Sequence, residues 1–308
     1  MSKPPDLREE VPLPDEIRQA ALDGNLVLFV GAGVSILVEL PSWNELAWKA
    51  LEDLRQRELF NYSELEQLKC LDAKKLLSIA EVVAEQNAIT LDLVKHLNKG
   101  DGDTGIYYYL NKIGCTCVTT NYDELLKPQF NRVKDSSATA VPVIRLNHKS
   151  DFHAGRLNVP GTVIHLHGSI SRPETMVFTT KQYLEHYDHD TVKNFLAELF
   201  DKKAVLFIGY GLEEAEILEH ILRRGQVKDT KKVKKRFALM PFFQSQRPLY
   251  ERLHDYYEKS FGVHLRGYIR DHKDYRQLED IIKAWSEQIE VRPPALSSEL
   301  DFMDEVLG

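Results

Sequence analysis

The stretch Thr162-Val163-Ile164-His165-Leu166-His167 runs into Gly168. An imidazole titrates near neutral pH. At the open end of a strand, beside a glycine that leaves room for a ligand, it can serve as a general base. Strand alternation predicts His165 and His167 on one face, with Ile164 and Leu166 on the other. The structural alternative is a histidine satisfied by a neighbouring carbonyl. No metal is expected, because no third ligand stands at a recognisable spacing. A second group, Thr119-Thr120-Asn121-Tyr122-Asp123, sets an amide and a carboxylate two residues apart. Asn121 and Asp123 could hold a sugar hydroxyl or an amide head group. Either could equally cap a following helix.

Two glycine turns complete the reactive inventory. The apolar run at 26–30 empties into Gly31-Ala32-Gly33-Val34-Ser35, and Phe207-Ile208 empties into Gly209-Tyr210-Gly211. Such a turn brings bare backbone N–H groups up to a phosphate. Two of them on one sheet suit a ligand with two ends, as a dinucleotide has, and Tyr210 could stack on a base or fill space. The standard dinucleotide fingerprint is incomplete, because Ile36 stands where a third glycine belongs. Glu52 and Asp53, at the distance of a ribose-binding acid, fall inside an amphipathic helix, and no Lys-Ser/Thr makes a P-loop. Phosphate contact and a mere tight turn both remain open for Gly31, Ala32, Gly33 and Ser35.

These residues need a scaffold that lines up strand ends. A short helix is predicted at 15–23, the first strand at 26–30, and the next helix only after Pro41. Ser42-Trp43-Asn44-Glu45 is a capping-box pattern, and Ser63-Glu64-Leu65-Glu66 repeats the signal. From there to about 112 the chain reads as almost wholly helical, far more than a parallel crossover requires. A helical module at about 42–112 is therefore expected after the first strand, with Tyr107-Tyr108-Tyr109 as plain helix packing. Strands are then predicted at 115–119, 140–146, 162–167, 204–208, 237–241 and 263–268. Helices are predicted at 124–127, 180–187, 191–201, about 213–224, 247–260 and 275–289. The alternation gives an α/β, doubly wound, Rossmann-like and mainly parallel sheet. One domain at 1–290 and a tail at 291–308 are expected, the tail's mixed acidic and apolar residues suiting a subunit contact.

A chain of 308 residues with 43% hydrophobic and 28% charged residues is long enough for a large core. The net charge of −7 argues against direct nucleic-acid binding in bulk. Eight basic residues between Arg223 and Arg236 make a solvated loop or a local contact for an acidic partner. The three cysteines, Cys70, Cys115 and Cys117, include no Cys-x-x-Cys pair, which removes a zinc ribbon and a disulfide framework. No apolar leader or membrane-length run is visible, so a cytoplasmic protein without membrane contact is expected.

Taken in order, Gly31-Ala32-Gly33-Val34-Ser35, Asn121-Tyr122-Asp123, His167-Gly168 and Gly209-Tyr210-Gly211 resemble the motifs of the sirtuin-like family. Protein-deacylating sirtuins carry two Cys-x-x-Cys pairs and a Phe-Arg loop after the first glycines. This chain has neither, and it adds the helical module. It is more similar to the bacterial sirtuin-like branch of anti-phage defence, whose members hydrolyse NAD⁺. That resemblance implies an NAD⁺ glycohydrolase acting by NAD⁺ depletion in abortive infection. It implies that Gly31, Ala32, Gly33 and Ser35 hold the pyrophosphate and that Gly209, Tyr210 and Gly211 face the adenosine half. Asn121 would position the ribose or attacking water, Asp123 would bind the nicotinamide end or ribose, and His167 would be the general base. A homo-oligomer gated by a trigger is implied too, with a partner ATPase or DNA translocase as one candidate. A nucleotide-sensing module without turnover and a protein deacylase are the alternatives.

Overall fold

Short apolar runs that alternate between two buried faces make the inner strands. In β1 (Leu26–Val30), Val27 and Phe29 join one core while Leu28 and Val30 join another. β5 (Ala204–Ile208) divides the same way, with Val205 and Phe207 on the first face and Leu206 and Ile208 on the second. A strand buried on both faces must be covered by helices on both. The computed structural model describes residues 6–97, 105–129, 143–225 and 236–292. With β2 (Thr116–Thr119), β3 (Ile144–Leu146), β4 (Thr162–His165), β6 (Arg236–Phe242) and β7 (His264–Ile269), it forms one sheet ordered β3-β4-β2-β1-β5-β6-β7. Every neighbouring pair is parallel, as the doubly wound reading expects.

The first face is covered by α8 (Thr180–Asp188), α9 (Asp190–Lys202), α10 (Ala215–Gly225) and α11 (Arg247–Phe261). The second is covered by α1 (Asp15–Leu22), α7 (Ile106–Ile113) and α12 (Gln277–Ser286). Between β1 and β2 also lie α2 (Ala32–Leu37), α3 (Trp43–Arg55), α4 (Tyr62–Leu68), α5 (Ala73–Gln86) and α6 (Val94–Leu97). Helices α3 to α6 bury a third apolar cluster of their own, around Leu46, Leu51, Leu76 and Leu77. The expected span of 42–112 is therefore too long. Tyr107 and Leu110 of α7 sit under the sheet beside Trp285 of α12, so α7 belongs to the covering layer.

Local differences from the sequence reading have physical causes. A helix does begin at Ala32, with Gly31 as its N-cap, instead of waiting for Pro41. Its six residues carry no helical period, so nothing in the sequence marks it. No helix forms at 124–127. Asp123 accepts the Leu125 N–H, Asn111 binds the Leu125 carbonyl and the Lys127 N–H, and Arg145 binds the Glu124 and Leu126 carbonyls. With its backbone groups satisfied by side chains, the segment has no need of a helix. The α4 capping box uses Asn61 and Glu64 in place of Ser63. β4 stops at His165, because the Gly168 N–H turns back to the His165 carbonyl. The 140–146 strand is seen as Ile144–Leu146; its first part, most of the basic loop and nearly all of the tail lie outside the described residues.

The two glycine turns are locked to each other. Gly31 N–H donates to the Ile208 carbonyl at 3.0 Å, and Gly33 N–H donates to the Gly209 carbonyl at 2.8 Å. A Cβ on Gly31 would lie 2.7 Å from the Gly209 oxygen, and one on Gly33 would lie 2.8 Å from it. Gly209 has φ +60°, and its Cβ would meet the Val34 nitrogen at 2.6 Å. Close approach of two backbones accounts for glycine at all three positions. Gly209→Ala is expected to destabilise the fold by at least about 1–2 kcal/mol from the left-handed conformation alone. Chemical denaturation measures that loss.

Candidate active site

The loops after β1, β2, β4 and β5 open on one edge of the sheet, since all the strands run the same way. β1 lies between β2 and β5, and the chain leaves it first to one side and later to the other. That is a topological switch point, where open α/β sheets bind ligands outside the carboxyl ends of their strands. A cleft of about 890 Å³ lies there, walled by Ala32, Gly33, Thr120, Gly209, Tyr210, Gly211 and Glu214, and by Trp43 and Lys74 from the helical module. Its size suits a small organic ligand.

Asn121 is fixed at the β2 end from several sides. Its side-chain N–H₂ donates to the Gly31 carbonyl at 3.0 Å, its backbone N–H to Thr119 Oγ1 at 3.0 Å, and its carbonyl lies 3.1 Å from His165 Nδ1. Its Oδ1 is buried with no hydrogen-bond partner. A buried carbonyl oxygen left unpaired costs about 1–3 kcal/mol, so a bound molecule that donates to it recovers that energy. Asp123 sits in the same knot. Its Oδ2 accepts from Ser35 Oγ at 2.7 Å and from the Tyr107 hydroxyl at 3.1 Å. Burial, then the nearby Asp123 charge, pushes Tyr107 well above the usual phenol range, so it stays a donor. Asp123 thereby fixes the Asn121 loop. Together Ser35, Asn121, Asp123 and Trp43 line a hollow of about 30 Å³, with room for a water.

His167 is found elsewhere than strand alternation predicts. The turn after β4 swings it toward α8, while His165 faces the Asn121 backbone, so the two imidazoles do not share a face. His167 has 0% exposure. Its Nε2 lies 2.7 Å from the Tyr187 hydroxyl and its Nδ1 3.3 Å from the Tyr183 hydroxyl. Burial, with His186 and Lys74 nearby, pushes it well below the usual histidine range, so the ring is neutral at physiological pH. The cleft wall in front of it is made by Tyr183 and Glu214. Glu214 Oε2 stands 3.7 Å from His167 Nε2 and accepts from the Tyr187 hydroxyl at 3.4 Å. Burial raises the Glu214 carboxyl to about 7, with Lys74 and Tyr187 pulling the other way. Lys74 pairs with Glu216 at 2.9 Å and lies 3.8 Å over the Tyr183 ring, tying α5 to the rim.

The structure thus brings Ala32, Gly33, Gly209, Tyr210 and Gly211 onto one cleft and Asn121, Asp123 and Ser35 into the hollow beside it. Gly31 lies behind, with its N–H already bonded, and the Gly33 N–H is taken as well. Tyr210 packs on Phe29 and Phe207, with ring centroids 4.9 and 5.7 Å away, so its ring fills space, and its edge reaches the cleft. Sequence reasoning missed Tyr107, Tyr187, Glu214 and Lys74. The one available signal was helical spacing, which sets Tyr107 on the same face as the buried Leu110 and Asn111. Among the described residues no group of three or more His, Cys, Asp or Glu could hold a metal ion, and no helix is long and apolar enough to cross a membrane.

A family model described as a SIR2-like domain matches residues 116–263, from the start of β2 to the residue before β7. Residues 116–263 are therefore similar to a SIR2-like domain. The match includes Asn121, Asp123, His167 and the second glycine turn; β1 and the helical module precede it. The chain is 27% identical to Defense-associated sirtuin 2 of Bacillus subtilis over 210 residues, covering 66% of this chain and 19% of that protein. It is 26% identical to the NAD(+) hydrolase ThsA of Acinetobacter baumannii over 226 residues, covering 69% of this chain and 42% of that protein. The chain therefore spans less than half the length of either curated relative.

The Glu214 carboxyl carries a pH-dependent stability effect. Below about 4.5 it is protonated folded and unfolded alike; as the pH rises toward about 7 only the unfolded chain ionises, so folding loses stability, and above that the loss is constant. Glu214→Gln is expected to stabilise the protein at pH 8 by about 3 kcal/mol, with the gain fading toward pH 4.5. Denaturant titrations of both proteins at the two pH values test this, and an equal gain at both would contradict it.

Proposed function

We propose that the chain is an NAD⁺ glycohydrolase that releases nicotinamide and ADP-ribose. The observation that carries the reading is the buried, unpaired Asn121 Oδ1 at the switch point, beside a cleft of ligand size. The name of the relative ThsA adds support. Breaking the bond from nicotinamide to ribose builds positive charge on the ribose. An amide oxygen that accepts from a ribose hydroxyl, or orients the attacking water, supplies partial negative charge where it is needed. The electron pair of the broken bond leaves with the nicotinamide nitrogen and cancels its charge. The pyrophosphate lies along Ala32, Gly33 and the second glycine turn, within reach of Lys74 on the rim. Asp123, Ser35 and Tyr107 hold the Asn121 amide in position.

We extend the proposal to a defence role, which the name Defense-associated sirtuin 2 supports, with NAD⁺ depletion against phage as its means. Such an enzyme needs gating, so assembly with copies of itself or with a partner such as a DNA-handling ATPase belongs to the same proposal. A second reading, a sensor that binds NAD⁺ without turnover, draws on His167 being sealed behind Tyr183 and Tyr187.

Chromatographic detection of nicotinamide separates the two. Release by the wild type, lowered about 10²-fold or more in Asn121→Ala with melting temperature preserved, supports the hydrolase. Bound NAD⁺ that stays intact establishes the sensor.

A further inference from the structure

The structure assigns the proton-accepting role at the cleft to Glu214, with Tyr187 and His167 as positioning residues behind it. This rests on the NAD⁺-hydrolysis reading. His167 has no surface open to the cleft, and both its ring nitrogens face tyrosine hydroxyls. Glu214 lines the cleft, and its side chain keeps 19% of its surface exposed.

With Glu214 ionised, the hydrogen bonds take a self-consistent direction that ends on it. The Tyr187 hydroxyl has a single proton, and it donates that proton to Glu214 Oε2 at 3.4 Å. His167 Nε2, 2.7 Å from the Tyr187 oxygen, must then be the protonated ring nitrogen and donate to it. Nδ1 of the neutral ring is left as an acceptor, and the Tyr183 hydroxyl 3.3 Å away supplies its proton. Tyr183, His167 and Tyr187 form a chain of donors aimed at one carboxylate. A neutral histidine that donates toward a carboxylate orients it and takes no proton itself.

The step balances with water as the only co-reactant. The water oxygen bonds to the ribose carbon as the bond to nicotinamide breaks. The water proton passes to a Glu214 oxygen, the bonding pair leaves with nicotinamide, and Glu214 later returns the proton to solvent through the cleft. The reaction therefore needs Glu214 ionised. The charged and titratable groups around it are Lys74 of α5, Tyr122 after β2, Tyr183 and Tyr187 of α8, His167 after β4, Tyr210 after β5 and Glu216 of α10. Burial outweighs Lys74 and sets the carboxyl near neutrality, at about 7. A base poised there suits work at cellular pH.

The test is the pH profile of nicotinamide release by the full chain, with NAD⁺ binding measured in parallel, for the wild type, Glu214→Gln, Tyr187→Phe and His167→Asn. The wild type is expected to lose kcat as the pH falls through about 7. Glu214→Gln is expected to lower kcat about 10²–10⁴-fold and abolish that acid limb, with binding of NAD⁺ kept. Tyr187→Phe removes a donor to the ionised carboxylate, so its limb moves to higher pH. His167→Asn lowers kcat but keeps an acid limb. Turnover by Glu214→Gln within about threefold of the wild type overturns the assignment and leaves the hydrolase reading intact. So does an acid limb that survives in Glu214→Gln and vanishes in His167→Asn. If the wild type binds NAD⁺ and releases no nicotinamide at any pH, the hydrolase reading itself fails and takes this assignment with it.

Discussion

The site depends on the contact of two bare backbones at the switch point of the sheet. Gly31 and Gly33 bond to the Ile208 and Gly209 carbonyls, so the β1 and β5 ends lie against each other with no side chain between them. The first wall of the cleft is made there. The Gly31 carbonyl, fixed by the same turn, then receives the Asn121 amide from β2. A side chain at any of these glycines would separate the turns and loosen Asn121 with them. Here glycine serves close packing of two backbones, and that packing builds one wall of the cleft.

Polar groups divide around this contact into two sets with different electrostatics. On the second face of the sheet, Asp123 is buried but accepts from Ser35, Tyr107 and the Leu125 amide, which hold it as a rigid anchor. On the first face, Glu214 is backed by Tyr187 and His167 and sits near its titration midpoint at neutral pH. Asp123 is engaged by three donors of the protein, whereas burial raises the Glu214 carboxyl to about 7. In the proposed reaction that division separates positioning from proton transfer.

Much of this was legible in the sequence, for definite reasons. The runs at Leu26–Val30 and Ala204–Ile208 are apolar, short and stopped by glycine, so their bounds could be read directly. Asn121 and the glycines announced themselves by type and by their place at strand ends. What stayed hidden was made by residues far apart in the chain. The segment after Asp123 reads as a helix until Asn111 and Arg145 are seen to satisfy its backbone. Glu214 reads as an ordinary surface acid at a helix start; burial among residues distant in the chain raises its carboxyl to about 7, against the pull of Lys74 on α5 and Tyr187 on α8. His167 reads as facing the open end of its strand, but the turn at Gly168 sets it behind Tyr183 and Tyr187.

The central claim is that water attacks NAD⁺ at this cleft. Its most direct test is to run the reaction in water labelled with heavy oxygen and weigh the products. The account predicts nicotinamide and linear ADP-ribose in equal amounts, with one labelled oxygen in each ADP-ribose. Unlabelled or cyclic ADP-ribose, or NAD⁺ recovered intact from the protein, would contradict it.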